Sequence, residues 1–240
     1  EAFRIFNSSI SSTLADAKVY SKDVIFISSY ISSLFFGEIF FESSIFFIFI
    51  FFSNTTAEAY SGRRRGPLCG PVFASAVILH YDLKINNLDD SKKISPKKRN
   101  EIYEEIKIKS FEYTFASASV KEIDELNILN ASLLAMKRAI LKLNKKPIDC
   151  YVDGIYTPTI EGCNLTATIK GDSLIPSISA ASIIAKVERD KYMESLHELF
   201  PHYELNSHKG YPTKKHISLI KKYGVNEIYR KTFKPVKDLI

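Results

Sequence analysis

One apolar run constrains the fold of this chain more than any other feature. Residues 71–79 read Pro-Val-Phe-Ala-Ser-Ala-Val-Ile-Leu, without alternation between apolar and polar positions. A strand with one solvated face alternates, whereas a strand covered on both faces is apolar throughout. The run therefore predicts a buried strand in a sheet with helices on both faces, which is the α/β class.

Helices and strands continue after this run. Pro96 opens a charged helix that reaches about Lys109, with Ser95 as its N-cap, and residues 111–119 alternate like a strand. The other predicted elements are helical segments over 120–144 with an alternative second start at Asn130, a strand over 148–152, a long helix over 177–200 with a small-residue face (Ala180, Ala181, Ala185) and a helix over 213–223 that Gly224 ends.

Residues 1–60 differ in composition from the rest, because they hold twelve of the seventeen phenylalanines and are rich in Ser and Ile. The apolar run Ile45–Phe52 is too short for a membrane helix of about 20 residues and too far along the chain for a signal peptide. Since it has no period of 2 or 3.6, we expect neither a half-buried strand nor an amphipathic helix. We predict that the native domain begins at residue 61. Either out-of-frame translation of AT-rich DNA or a genuine disordered or membrane-touching extension explains residues 1–60.

Charge is also uneven along the chain. Residues 61–240 hold thirty basic against twenty-one acidic residues, a net of about +9. Such an excess favours a polyanionic partner, although a solvated basic surface explains it equally well. The three cysteines show no paired or metal-ligand spacing, which favours a reduced, cytoplasmic setting over a disulfide framework.

Seven motifs follow one another in a fixed order between Asp90 and Val236. They are Asp90-Ser91-Lys92-Lys93-Ile94-Ser95, residues 124–130 (Asp-Glu-Leu-Asn-Ile-Leu-Asn), Asp153-Gly154, Gly171-Asp172-Ser173, residues 177–190 from Ser177 to Arg189-Asp190, His208-Lys209-Gly210-Tyr211 and residues 230–236 (Arg-Lys-Thr-Phe-Lys-Pro-Val). In this order they resemble the ribonuclease HII family, over roughly residues 65–236.

The resemblance implies a ribonuclease H-like fold, a mixed sheet flanked by helices with a small C-terminal helical region. It also implies hydrolysis of the RNA strand of RNA–DNA hybrids and incision at ribonucleotides embedded in DNA, through two Mg²⁺ or Mn²⁺ ions held by four carboxylates. Asp153 matches the third carboxylate and Asp190 the fourth. By spacing alone, Asp153-Gly154 is typical of a turn, and Asp190 of an ion pair with Arg189 or Lys186.

The first two carboxylates have no ungapped counterpart. The family opens its active site with Asp-Glu-Ala-Gly-Arg-Gly, and residues 61–66 read Ser-Gly-Arg-Arg-Arg-Gly. A gapped alignment that places Ala57-Glu58-Ala59 at the motif makes Glu58 the alternative second metal ligand.

Substrate contacts follow from the same resemblance. The Gly-Arg-Gly backbone of the family approaches the ribose 2′-hydroxyl; Arg65 and Gly66 remain here, but Arg64 replaces the first glycine. Tyr211 matches the tyrosine placed against the nucleotide after the ribonucleotide. The predicted phosphate contacts are Ser91, Lys92, Lys93, Lys186 and Lys209, each of which also fits a solvated side chain. For His208 and His216 we expect structural roles.

We therefore expect a monomeric, cytoplasmic endonuclease for RNA–DNA hybrids and ribonucleotide-containing DNA, without membrane attachment and with impaired catalysis. Three alternatives stay open. One is a catalytically dead protein that binds nucleic acid, and another is the product of a frame-disrupted gene. The third is a chain that never folds stably, because it lacks the first strand of the sheet.

Overall fold

The computed structural model describes residues 66–79, 85, 88 and 94–240, and the backbone of one strand at 47–53. Its sheet is mixed and has the strand order β3-β2-β1-β4-β5. The strands are β1 (Phe47–Ser53), β2 (Val72–Ile78), β3 (Glu112–Ala118), β4 (Asp149–Asp153) and β5 (Asn164–Thr168). β2 is antiparallel to both β1 and β3, whereas β4 is parallel to both β1 and β5. The predicted mixed sheet is confirmed.

The phenylalanine-rich run lies at the centre of this sheet. β1 pairs with β2 on one side, where Phe49 is opposite Val77, and with β4 on the other, where Phe47 is opposite Asp149. We expected neither a half-buried strand nor an amphipathic helix for this run. It forms a central strand, a position in a sheet at which alternation is not needed. The compact unit that contains this sheet spans Ile45–Ile240. That the native family domain begins at residue 61 stays a prediction.

Six α-helices occur in the described part of the chain. They are α1 (Pro96–Lys109), α2 (Val120–Leu141), α3 (Gly171–Leu174), α4 (Pro176–Leu199), α5 (Leu205–His208) and α6 (Lys214–Tyr223), with short 3₁₀ helices at Pro201–Tyr203 and Val236–Leu239. Local signals set their starts. The Ser95 hydroxyl caps α1 by accepting from Lys98 N at 3.3 Å, and Ser119 forms a capping box with Glu122 at the start of α2.

β2 shows why helices cover both faces of the sheet. Val72, Ala74, Ala76 and Ile78 belong to one core cluster together with α2, whereas Val77 packs in a second cluster with residues of α1 and α4. Alternate side chains of a strand point to opposite faces, so an all-apolar strand requires two covered faces. The small residues of α4 allow the predicted close approach. The Ser75 hydroxyl donates to Ala181 O at 2.6 Å, and Ala181 is fully buried.

A kink divides α2 at Asn127, three residues before the predicted second start. Asn127 has a φ of 68°, and its side-chain oxygen accepts from the N–H groups of Leu129 (3.0 Å) and Asn130 (3.2 Å). The second segment therefore begins with its own asparagine cap.

The C-terminal helices form the predicted small helical region around a third apolar cluster, which includes Leu68, Met193 and Tyr229. The described cysteines are free thiols, although Cys150 Sγ lies 3.0 Å from Cys163 Sγ. In the described residues, no helix is long and apolar enough to cross a membrane.

Candidate active site

Asp153 ends β4 and is fixed by the backbone of the motif Gly171-Asp172-Ser173. Its Oδ1 atom accepts a hydrogen bond from Gly171 N at 2.7 Å. The chain turns directly after Asp153, where Gly154 has a φ of 114° and its N–H donates to Thr168 O at 2.9 Å. A non-glycine residue rarely adopts that φ, so the Asp-Gly pair is a turn that also holds a carboxylate at the end of a parallel strand.

The same hydrogen bond brings Asp172 next to Asp153. Asp172 follows Gly171 in the short helix α3 and is half-buried. Gly171 itself is buried so tightly that an added Cβ would lie 2.5 Å from Ile178 Cδ1 and 3.4 Å from Asp153 Oδ1. A side chain at this position would press on Ile178, beside the backbone N–H that donates to Asp153.

Asp190 lies on α4, away from Asp153 and Gly171. Gly171 packs against Ile178 near the start of α4, and Asp190 follows Ile178 by twelve residues. Twelve residues span roughly 18 Å of helix, whereas two catalytic ions lie about 4 Å apart. Assigning Asp190 as a catalytic carboxylate and metal ligand beside Asp153 is thus inconsistent with this structure.

Three cations surround Asp190 instead. Lys186 Nζ lies 2.7 Å from its Oδ1, an Arg189 guanidinium nitrogen 3.6 Å from Oδ1 and an Arg99 nitrogen 3.9 Å from Oδ2. Burial lowers the pKa of Lys186, and the neighbouring Asp190 opposes that shift. The ion-pair interpretation of Asp190 is confirmed.

The described residues do not complete a two-ion site. Among them, no three His, Cys, Asp or Glu side chains come together in a way that could hold a metal. In the ladder between β1 and β4, Ile50 is opposite Val152, which puts position 51 level with Asp153. That position is a phenylalanine, and β1 contains no acidic residue. Two carboxylates alone do not fit the four-carboxylate, two-ion arrangement. Glu58, the alternative ligand, lies outside the described residues.

Tyr211 lies in a loop that α4 holds from one side. Arg189 donates to Lys209 O at 2.6 Å, and its guanidinium carbon lies 5.3 Å from the centre of the Tyr211 ring. On the other side, Leu68 N donates to Gly210 O at 2.8 Å. Since Leu68 follows Gly66 by two residues, this bond joins the predicted ribose-sensing segment to the tyrosine loop.

The predicted structural roles of the histidines agree with their contacts. His208 and His216 stack with ring centroids 4.0 Å apart. One His216 nitrogen bonds to Tyr211 O (2.9 Å) and the other to the Tyr229 hydroxyl (3.2 Å). Burial is the main cause that lowers the pKa of His216 to about 4, and burial lowers the pKa of His208 as well.

The remaining predicted contacts divide into two groups. Lys186 and Lys209 are both in ion pairs, Lys209 with Glu194 at 2.8 Å, and Gly66 begins the described segment before Leu68. Arg65, Ser91, Lys92 and Lys93 lie outside the described residues.

Comparison with known proteins gives the family of this chain. The sequence model of the family "Ribonuclease HII" matches residues 62–236. The chain belongs to the ribonuclease HII family. A ribonuclease HII of Burkholderia lata is 51% identical over 173 residues, which cover 72% of this chain and 80% of that protein. One of Delftia acidovorans is 48% identical over 176 residues, covering 73% and 74%.

Solved structures agree on the fold. The ribonuclease H2 of Pyrococcus horikoshii OT3 superposes with a TM-score of 0.63 at 21% identity, covering 81% of this chain and 96% of that chain. The structure of the PCNA:RNase HII complex from Archaeoglobus fulgidus gives 0.60 at 24% identity, covering 79% and 95%. The predicted ribonuclease H-like fold is confirmed.

Asp172 is the acidic residue that sequence reasoning missed. Its motif was among the seven that indicate the family, but no role was assigned to it. The sequence gives no local signal for it, because Gly171 lies three residues after the end of β5, the strand parallel to β4 that the sequence did not predict. The carboxyl ends of neighbouring parallel strands meet at one edge of a sheet.

Proposed function

We propose that this chain is an endoribonuclease of the ribonuclease HII type whose cleavage step is impaired. Its substrates would be RNA–DNA hybrids and DNA that contains single ribonucleotides. The observation that supports this most directly is the hydrogen bond from the Gly171 N–H to Asp153 at the end of a parallel strand, within a domain of this family.

Asp153 and Asp172 are the residues that would contribute to a divalent cation site. Mg²⁺ and Mn²⁺ prefer carboxylate oxygens, and both side chains reach the same edge of the sheet. Two carboxylates are fewer than the two-ion chemistry of the family requires, so we assign a weak ion site to them and derive no hydrolytic step.

Nucleic acid would bind through the basic part of the chain. Tyr211 would lie against the nucleotide that follows the ribonucleotide, and Gly66 near the ribose 2′-hydroxyl. Lys186 and Lys209 would contact phosphates. Lys186 and Lys209 now pair with Asp190 and Glu194, and a phosphate would compete for each ammonium group. Arg65, Ser91, Lys92 and Lys93 complete the proposed contact set. We further propose that the protein acts as a cytoplasmic monomer.

A second candidate function is binding without cleavage. The absence of any acidic residue from β1, beside Asp153, favours it. Both candidates require hybrid binding and differ in turnover.

Turnover on a duplex with one embedded ribonucleotide tests the proposal. The purified chain is incubated with labelled duplex and Mg²⁺ or Mn²⁺, next to the Burkholderia lata relative as positive control, while binding is followed by anisotropy in EDTA. We expect binding with slow, metal-dependent nicking on the 5′ or 3′ side of the ribonucleotide. Binding without nicking establishes the second candidate, and failure to bind either hybrid or ribonucleotide-containing duplex refutes both.

A further inference from the structure

Arg189 is the bulkiest fully buried side chain in the described residues, with 1% of its surface exposed. It lies on α4, next to Asp190, and its charged group points under the loop His208-Lys209-Gly210-Tyr211. Burying a guanidinium is costly unless hydrogen bonds and countercharge compensate. The contacts that compensate it should therefore reveal what this side chain does.

Two of its contacts are made to the tyrosine loop. One terminal nitrogen donates to Lys209 O at 2.6 Å, and the guanidinium carbon lies 5.3 Å from the Tyr211 ring centre. The other terminal nitrogen has no hydrogen-bond acceptor among the described residues and lies 3.6 Å from Asp190 Oδ1. The contacts with the loop therefore fix the position of the guanidinium at least as much as the ion pair with Asp190 does.

The loop has a conformation that needs such support. Lys209 has a φ of 47° and Gly210 a φ of 82°, both in the left-handed region. A lysine in that region costs about 1 kcal/mol or more relative to helical backbone. Gly210 also packs too closely for a side chain, because an added Cβ would lie 3.0 Å from Cys69 Sγ. The hydrogen bond from Arg189 is made to the carbonyl of the strained Lys209 itself.

We propose that Arg189 is a positioning residue that holds the Tyr211 ring in the orientation required to stack against nucleic acid. With 1% exposure it cannot reach a phosphate, so its effect on binding passes through the loop. This inference rests on the proposed function, which puts Tyr211 in contact with the nucleotide after the ribose.

Binding of a hybrid duplex in EDTA, followed by anisotropy over a series of salt concentrations, tests it. We expect Arg189→Lys to weaken binding about tenfold, since an aromatic stacking contact contributes on that order. The slope of affinity against salt should stay unchanged, because no phosphate contact is lost. The matched control is Arg138→Lys, whose guanidinium pairs with Glu122 on α2, and it should bind like the parent.

The role is separated from general stability by a double-mutant cycle. In a Tyr211→Ala background, Arg189→Lys should weaken binding less than twofold, because the ring through which it acts is absent. An equal, tenfold loss in both backgrounds would overturn the proposal, as would a smaller salt slope, which indicates direct phosphate contact.

A fluorescent variant tests the free protein and does not depend on nucleic acid. The chain contains no tryptophan, so Tyr211→Trp introduces a single indole at the loop, which can be excited at wavelengths that tyrosine does not absorb. With native Arg189 beneath it, the indole should be shielded from acrylamide and rotationally restricted. An indole in the folded protein that is quenched as freely as a small tryptophan derivative would overturn the proposal, whether or not Arg189→Lys folds. If the parent binds no hybrid, the proposed function fails, while this measurement in the presence and absence of Arg189→Lys still tests whether Arg189 holds the ring.

Discussion

Replacing Gly171 by alanine should damage both stability and the position of Asp153. The new Cβ would lie 2.5 Å from Ile178 Cδ1, well inside contact distance, and 3.4 Å from Asp153 Oδ1. Ile178 is fully buried, so its side chain cannot move aside into solvent. Forcing one extra methyl group into such a core costs about 1–3 kcal/mol.

The structure also specifies a rescue. Ile178→Val removes the Cδ1 atom that clashes and leaves the Cγ2 atom at 3.4 Å. Alone it should cost about 0.5–1.5 kcal/mol through the small cavity. The double variant should therefore be more stable than the sum of the two single costs predicts, by about 1 kcal/mol or more.

Urea unfolding of the four proteins measures this cycle. Thermal unfolding checks it, since about 1–3 kcal/mol lowers Tm by roughly 2–12 °C in a domain of this size. Gly162→Ala is a control for adding a methyl group to a glycine with free space, although its φ of 74° adds backbone strain. Additive costs in the cycle, or a Gly171→Ala variant as stable as the parent, would refute the packing around Asp153.

Three further predictions concern the burial of His216, the cap of α2 and the salt dependence of hybrid binding. Burial holds the pKa of His216 near 4, below its ordinary 6.5, so the unfolded chain binds a proton that the folded chain refuses; the free energy of unfolding should fall as pH falls from about 6.5 to 4, and less steeply in His216→Gln. Ser119→Ala removes the capping box with Glu122 and should cost about 0.5–2 kcal/mol in urea unfolding, whereas exposed Ser218→Ala should cost less than about 0.5 kcal/mol. Hybrid affinity should fall steeply between 50 and 200 mM salt, and a flat response would show that phosphate contacts do not dominate binding.

Elements with a clear local signal were predictable from the sequence. The apolar run of β2, the Ser95 cap of α1 and the small-residue face of α4 each state a physical requirement within a few residues. The sequence does not predict β1, because its apolar run has no period by which a half-buried strand or an amphipathic helix is recognised. β5 was missed because it is short, and most of its side chains are half-exposed or exposed.

One acidic residue of the candidate site was predictable from the sequence, and the other was not. Asp153 was predictable, because an acidic residue at the end of a buried strand has a defined place in an α/β sheet. Choosing between Asp172 and Asp190 depended on the path of the chain after β4, which no spacing in the sequence specifies. The hydrogen bond between Gly171 and Asp153 decides it, together with the three cations around Asp190.

Titration with Mn²⁺, followed by the loss of its free EPR signal, tests most directly whether Asp172 rather than Asp190 shares a cation with Asp153. Single substitutions Asp153→Asn, Asp172→Asn and Asp190→Asn remove one charge each without changing size. Loss of a metal-contacting carboxylate should weaken Mn²⁺ binding at least as much as the 10–100-fold typical of groups one shell further out. We predict that loss for Asp153→Asn and Asp172→Asn, and parent-like binding for Asp190→Asn. Strong loss in Asp190→Asn with parent-like binding in Asp172→Asn would contradict the site described for this chain.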